Sequence, residues 1–197
     1  MDIFILFYKI TLLQHLVPYL LVSCSFYFFF YIIFKKKIAN RKIQQKNPIN
    51  KDIQREFLSS ILSIFLFAMF VTIIFKTPLI KYSFIYKNIN EYSILYFLFT
   101  IFLCIFIQDT WFYWMHRLMH NKNIFRYIHF IHHKSINPTP FSAYSFHPIE
   151  ALIESSVFYI ILFIIPVHPL AVFIAVNLSL FINAYGHLGY EVLSEKI

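Results

Sequence analysis

Apolar residues dominate from Ile3 to Phe34, interrupted by Lys9 and by Gln14, His15 and Pro18. Proline fits the first turn of a helix, so the pattern predicts a spanning helix from Pro18 to Phe34, with the preceding residues at the membrane interface. A polar segment follows over 35–56, and then 19 residues without a charge, Phe57 to Phe75. A third apolar run starts near Ser93 and lasts to Ile107. Its helical pattern continues without a breaker to His120, which predicts one long helix emerging from the membrane. Residues 121–147 are polar and rich in histidine. Two further apolar runs, Ile149–Ile165 and Leu170–Tyr185, are separated by a tight turn, Pro166-Val167-His168-Pro169. Each is about 17 residues, near the shortest length that crosses a bilayer, so the pair reads as a hairpin that only just spans.

Composition makes the bilayer part of the solvent. Hydrophobic residues are 59% of the chain and charged ones 13%, against roughly 25% charged in a soluble domain. Two glycines in 197 residues argue against β-barrels and turn-rich folds. Lipid admits only helices or closed barrels, because each backbone polar group must be paired internally. The expected fold is therefore an all-α integral membrane protein of about four to five transmembrane or hairpin helices. Cys24 and Cys104 lie in apolar runs and read as small buried hydrophobes, with no disulfide framework. The N-terminus lacks a basic region and a small-residue cleavage site, so it reads as a retained anchor.

The formal charge of +8 does not point to nucleic acid. Its carriers cluster between apolar runs, above all Lys35, Lys36, Lys37, Arg41, Lys42, Lys46, Lys51 and Arg55. That is the pattern of membrane topology, and it places 35–56 on the cytoplasmic side as a solvated loop that touches anionic lipid. Counting crossings from there puts residues 76–91 outside, although they carry three lysines. The expected location is a multi-pass position in a bacterial inner membrane or endoplasmic reticulum.

The same count sorts nine histidines. His15 and His168 fall on the outer side and read as structural or interfacial. His116, His120, His129, His132, His133, His147 and His187 all fall on the cytoplasmic face. His116 and His120 are four apart on one helix face, and at 100° per residue Asp109, Tyr113, His116 and His120 lie within about 60°. Asp109 is a candidate outer carboxylate, able to fix the tautomer of a histidine ligand. Taken alone, this stripe reads equally as a surface face with histidines among the headgroups. Trp111, Tyr113 and Trp114 read as interfacial anchors. On a helix, His129, His132 and His133 also share a face. Five histidines within 18 residues would repel one another if charged, whereas neutral imidazoles on a metal would not. Imidazole alone suits Zn, Cu, Fe and Ni. The chain has no HExxH, and five or more histidines exceed the three or so that one catalytic zinc needs, so a binuclear site fits better.

Tyr113-Trp114-Met115-His116-Arg117-Leu118-Met119-His120 resembles the first box, HX3H, of the fatty acid hydroxylase/sterol desaturase superfamily, and His129–His133 resembles its second, HX2HH. Phe146-His147-Pro148-Ile149-Glu150 and Tyr185-Gly186-His187-Leu188-Gly189-Tyr190-Glu191 resemble stretches that follow, so that the likeness covers about 95–191. It implies residues 1–92 as membrane anchor and basic loop, and 93–197 as a hydroxylase-like domain. It also implies a cytoplasmic histidine cluster holding two irons. The activity it implies is O2-dependent hydroxylation or desaturation of a membrane lipid, sterol or fatty acyl, with electrons from a small redox protein. His116, His120, His129, His132 and His133 would be iron ligands and His187 a sixth. His147 is either a ligand, a supporting residue or a helix-start feature. The family's third box, again HX2HH, has no counterpart before Ile197. The alternative expectation is accordingly a truncated, non-catalytic membrane remnant that binds one metal or none.

Overall fold

The structure, a computed structural model, describes residues 2–44 and 46–192; the last five residues of the expected second domain lie outside it. The described residues are helical and contain no named strand. The helices are α1 (Ile3–Tyr27), α2 (Asn50–Lys76), α3 (Ile94–Met119), α4 (Lys122–Ile128), α5 (Phe130–His133), α6 (Pro148–Ile164) and α7 (Pro169–Gly186). A π-helical stretch, Phe28–Ile33, prolongs α1. With that extension α1 has 31 residues, and it joins α2, α3 and α7 as a helix long and apolar enough to cross a membrane. At 17 residues α6 is shorter. A short turn joins it to α7, and both pack against α3 rather than on each other as the expected hairpin would; the chain is a helical membrane protein as expected.

The five long helices alternate in direction. One end of the bundle therefore collects the end of α1, the start of α2, the end of α3, the start of α6 and the end of α7. The histidine-rich segment and the basic loop share that end. Tyr31 donates to the Pro138 and Leu188 carbonyls, Arg55 to that of Lys134, and Asn137 to that of Lys46. At the far end the segment before α3 grips the α6–α7 turn. Tyr86 N donates to Val167 O and Val167 N to Phe84 O, both at 3.2 Å. His168 caps α7 there, accepting at Nδ1 from Leu170 N, and bonds the Lys87 carbonyl through Nε2. His168 is structural, as its outer position suggested.

Between α5 and α6 the backbone is irregular, yet it is buried among helices. Thr139, Pro140, Ser142, Ala143, Ser145 and Phe146 are all buried. Non-helical backbone at such depth needs partners for its polar groups. Three helices supply them. From α1, Tyr19 donates to Phe141 O and Ser23 to Pro140 O. From α2, Ser60 donates to Phe141 O while Glu56 accepts from the Thr139 hydroxyl at 2.6 Å. From α7, Asn183 donates to Ala143 O at 2.6 Å. The isolated polar side chains of the apolar runs thus hold the segment that joins the histidine-bearing turn to α6.

Three expectations change. The first helix starts at Ile3 and not at Pro18; the Asp2 side chain caps it by accepting from Phe4 N, and Pro18 lies inside it. Proline removes one backbone donor, but an otherwise apolar helix in lipid has no better way to pair the remaining groups. His15 is consequently in the interior of α1, with its ring 6.2 Å from that of Phe67 on α2, rather than near an outer edge. Of the two cysteines Cys104 is buried, whereas Cys24 is exposed on the outside of α1. Lipid is as apolar as a protein core, so hydropathy does not distinguish the two sides of a spanning helix.

Candidate metal centre

The α3 helix presents His116 in its last turn, and its cap residue His120 follows one turn later. Asn121 then starts α4 by accepting from Asn123 N, which reverses the chain toward the site. The backbone breaks at His129, which ends α4 and begins α5. Because of that break the second histidine group does not act as one helix face. His129 and His133 turn to the α3 pair, and His132 turns to α7.

Four Nε2 atoms meet at this point. His116 and His120 are separated by 3.0 Å, His120 and His133 by 3.2 Å, and His129 and His133 by 3.1 Å. The potential ligand atoms of these four residues all lie within 4.8 Å of one another. Nitrogens bound at about 2.0–2.1 Å to a single ion stand roughly 3–3.4 Å apart, so the spacing fits a metal. Nδ1 of His129 lies 2.7 Å from Oε1 of Glu150, and both side chains are buried. When ionised, the Glu150 carboxyl accepts a hydrogen bond from Nδ1–H of His129, which leaves Nε2 as a bare acceptor toward the other rings. His129 forms the floor, while His120 and His133 are exposed, so the cluster opens on one side.

A second pair lies next to the four. The rings of His132 and His187 are 5.3 Å apart, and that of His132 is 5.5 Å from His129. His187 donates from Nδ1 to Asn183 O at 2.8 Å, which frees its Nε2. His132 Nδ1 is buried with no partner. Burial lowers the pKa of His120, His129, His133 and His187 below the ordinary imidazole value. It pushes His132 to about 3, with the neighbouring His187 adding to the effect. Each shift favours the neutral ring, the form in which imidazole binds metal.

The other candidates sit apart from these six. His147 caps α6, accepting from Ile149 N at Nδ1, with Pro148 in the first turn. Asp109 is exposed on α3 and hydrogen-bonds none of the histidines. Trp111 ties α3 to α6 by donating to Ile153 O, whereas Tyr113 and Trp114 are exposed. Glu150 is the carboxylate that contacts the cluster. An acid in the first turn of a largely apolar helix was its sequence signal.

Below the cluster is a cavity of about 340 Å³ between the helices. Phe112 and Phe146 line it. The Phe112 ring stacks 5.2 Å from His116, and the Phe146 ring lies 5.4 Å from His132. These two rings border both the histidines and the space beneath.

A fatty acid hydroxylase family model matches residues 101–197, the stretch that carries all six clustered histidines. A Delta(7)-sterol 5(6)-desaturase of Gibberella zeae is 30% identical over 137 residues, which is 70% of this chain and 41% of that protein. The chain belongs to the fatty acid hydroxylase/sterol desaturase superfamily. Human lathosterol oxidase, another relative, is 29% identical over 161 residues, 79% of this chain and 51% of its own length. Methylsterol monooxygenase 1 of Rattus norvegicus is 36% identical over 89 residues, 45% of the chain and 30% of that protein. The chain thus spans about half or less of the length of these superfamily relatives. No solved structure matches it at a significant level.

Proposed function

We propose that this chain carries the metal site of a membrane lipid oxidoreductase that hydroxylates or desaturates a sterol-class or acyl substrate, using two irons and O2. The observation that carries the reading is the contact between a four-imidazole cluster and a lipid-sized cavity through Phe112 and Phe146. Cavities of ~300–1,000 Å³ suit small ligands and cofactors. The names of the relatives, a sterol desaturase, a lathosterol oxidase and a methylsterol monooxygenase, favour the sterol class.

In this reading His116, His120, His129 and His133 hold one iron, while His132 and His187 supply nitrogens to the second. Bound iron would supply O2 activation and attack on an unactivated C–H bond. The chain's own residues do the rest. Glu150 fixes the ring and tautomer of His129, and Asn183 does so for His187. Phe112 and Phe146 keep water from the boundary between cavity and cluster. The exposed edge at His120 and His133 is where an electron-donor redox protein would approach. His147 serves by capping α6, and residues 1–92 act as an anchor that also holds the buried segment before α6. The basic loop shares the histidine end, and the excess of Lys and Arg there supports a cytoplasmic position for the site.

The test is elemental analysis of the purified chain together with lipid product analysis. The expected result is bound iron and a lipid product that requires O2 and a reductant. Protein with no iron and no oxidised lipid would overturn the proposal.

A further inference from the structure

Aromatic rings, among them Phe7, Phe67, Phe75 and Phe158, share the cavity wall with aliphatic and polar residues, and unpaired polar groups reach it from two sides. Glu154 of α6 lines the cavity, and neither of its carboxyl oxygens hydrogen-bonds any described protein atom; Oε1 is closed off altogether. His15 of α1 bonds the Thr11 carbonyl through Nδ1 at 2.8 Å, which leaves Nε2 as an unpaired acceptor. Phe67 connects the two: its ring faces His15 and packs on Ala151, one turn before Glu154. A polar group buried without a partner costs roughly 1–3 kcal/mol, and such groups are rare unless something else satisfies them. Beside a lipid-sized apolar space, the group that satisfies them is the polar end of an amphiphile.

We infer that Glu154 and His15 form the binding site for the hydroxyl of a lipid alcohol with a flat, rigid apolar body, a ring alcohol of the sterol class. In its protonated form the Glu154 carboxyl offers a donor, and Nε2 of His15 an acceptor, to a ligand hydroxyl, and the flat rings in the wall suit fused rings better than a flexible acyl chain. The placement also sets the direction of the ligand. Glu154 follows Glu150 by four residues on the same face of α6, a rise of about 6 Å. Glu150 in turn holds His129. The hydroxyl-bearing end of the ligand, and not its tail, therefore lies nearest the histidines.

The inference rests on the reading of the cavity as a lipid site, but its test does not depend on metal or turnover. The chain is reconstituted in lipid nanodiscs and photolabelled with a diazirine-bearing sterol and with the same probe lacking its hydroxyl. Labelled peptides are mapped by mass spectrometry. The expected result is labelling of cavity residues by the alcohol at a concentration at least tenfold lower than by the deoxy probe. Glu154→Leu should abolish that preference while deoxy labelling persists, and Glu154→Gln, which still hydrogen-bonds, should retain it. His15→Phe should reduce the preference, and it replaces Glu154→Leu if that variant fails to fold. Equal labelling by both probes in the unaltered chain, or labelling confined to the outer surface, overturns the inference. An iron-free chain that still prefers the alcohol would sink the oxidoreductase reading and leave this one standing. An iron-bound chain that oxidises lipid without the preference would do the reverse.

Discussion

Nδ1 of His129 and Oε1 of Glu150 are 2.7 Å apart, and 21 residues of chain separate them. The contact joins the break between α4 and α5 to the first turn of α6, and it sets which nitrogen of the most buried imidazole faces its three neighbours. Carboxylates in this position raise ligand basicity and orient the ring, and their loss costs about 10–100-fold in metal affinity. Glu150→Ala should therefore lower iron affinity of the purified chain by that range, and Glu150→Gln by less. Metal titration monitored by absorbance gives the answer, and unchanged affinity in Glu150→Ala would remove Glu150 from the site.

The four clustered histidines should differ from those elsewhere in the chain. His120→Ala or His133→Ala removes an exposed imidazole without opening the core, and iron per chain should fall. His168→Ala, at the opposite end of the bundle, should leave the iron content unchanged and affect only the α7 cap. Loss of iron on changing His168 as large as that on changing His120 would mean that metal content follows folding and not ligation.

The pKa of His132 is depressed to about 3 by burial, against an ordinary value near 6.5. The unfolded chain takes up a proton on this ring below about pH 6.5 and the folded chain does not, so acid favours unfolding. The stability tied to the neutral ring is fully present above pH 6.5 and is lost progressively as pH falls from there toward 3. Metal-free protein in detergent should show a melting temperature that drops steadily between pH 7 and pH 4.5. His132→Phe, which has no proton to gain, should flatten that slope.

The buried segment before α6 should be sensitive to its hydroxyl partners. Thr139→Val leaves Glu56 without its 2.6 Å donor in a fully buried position. A hydrogen bond to a charged group is worth about 1.5–3 kcal/mol, and the Thr139 N–H, 3.3 Å from Oε2, remains as a second donor. Thermal unfolding should register a decrease of up to that size. A change within experimental error would show that the segment is held by apolar packing alone.

Gly189 has φ of +73°, and a Cβ placed on it would sit 2.7 Å from the Tyr31 hydroxyl and 3.2 Å from Pro138 O. Alanine at a positive φ destabilises by more than about 1 kcal/mol, and here it also pushes on the tyrosine that ties α1 to the histidine end. Gly189→Ala should lower the melting temperature clearly. Adding Tyr31→Phe should recover only part of the loss, because the backbone strain remains. Full recovery would assign the whole effect to the tyrosine contact.

Much of this protein was legible along the chain. Long apolar runs dictate spanning helices because lipid leaves the backbone no other way to pair its polar groups, and His116/His120 at a spacing of four must share a helix face. The tertiary structure decided what those rules do not reach. It divided His129, His132 and His133 between two partners, because the helix breaks at His129. It brought Glu150 to His129 and His187 to His132, contacts that span 21 and 55 residues and have no local signature. It also set His15 and Glu154 around one cavity. In water, an apolar face marks the inside of a helix. In a bilayer both faces are apolar, so only the packing of one helix against another determines which residues meet.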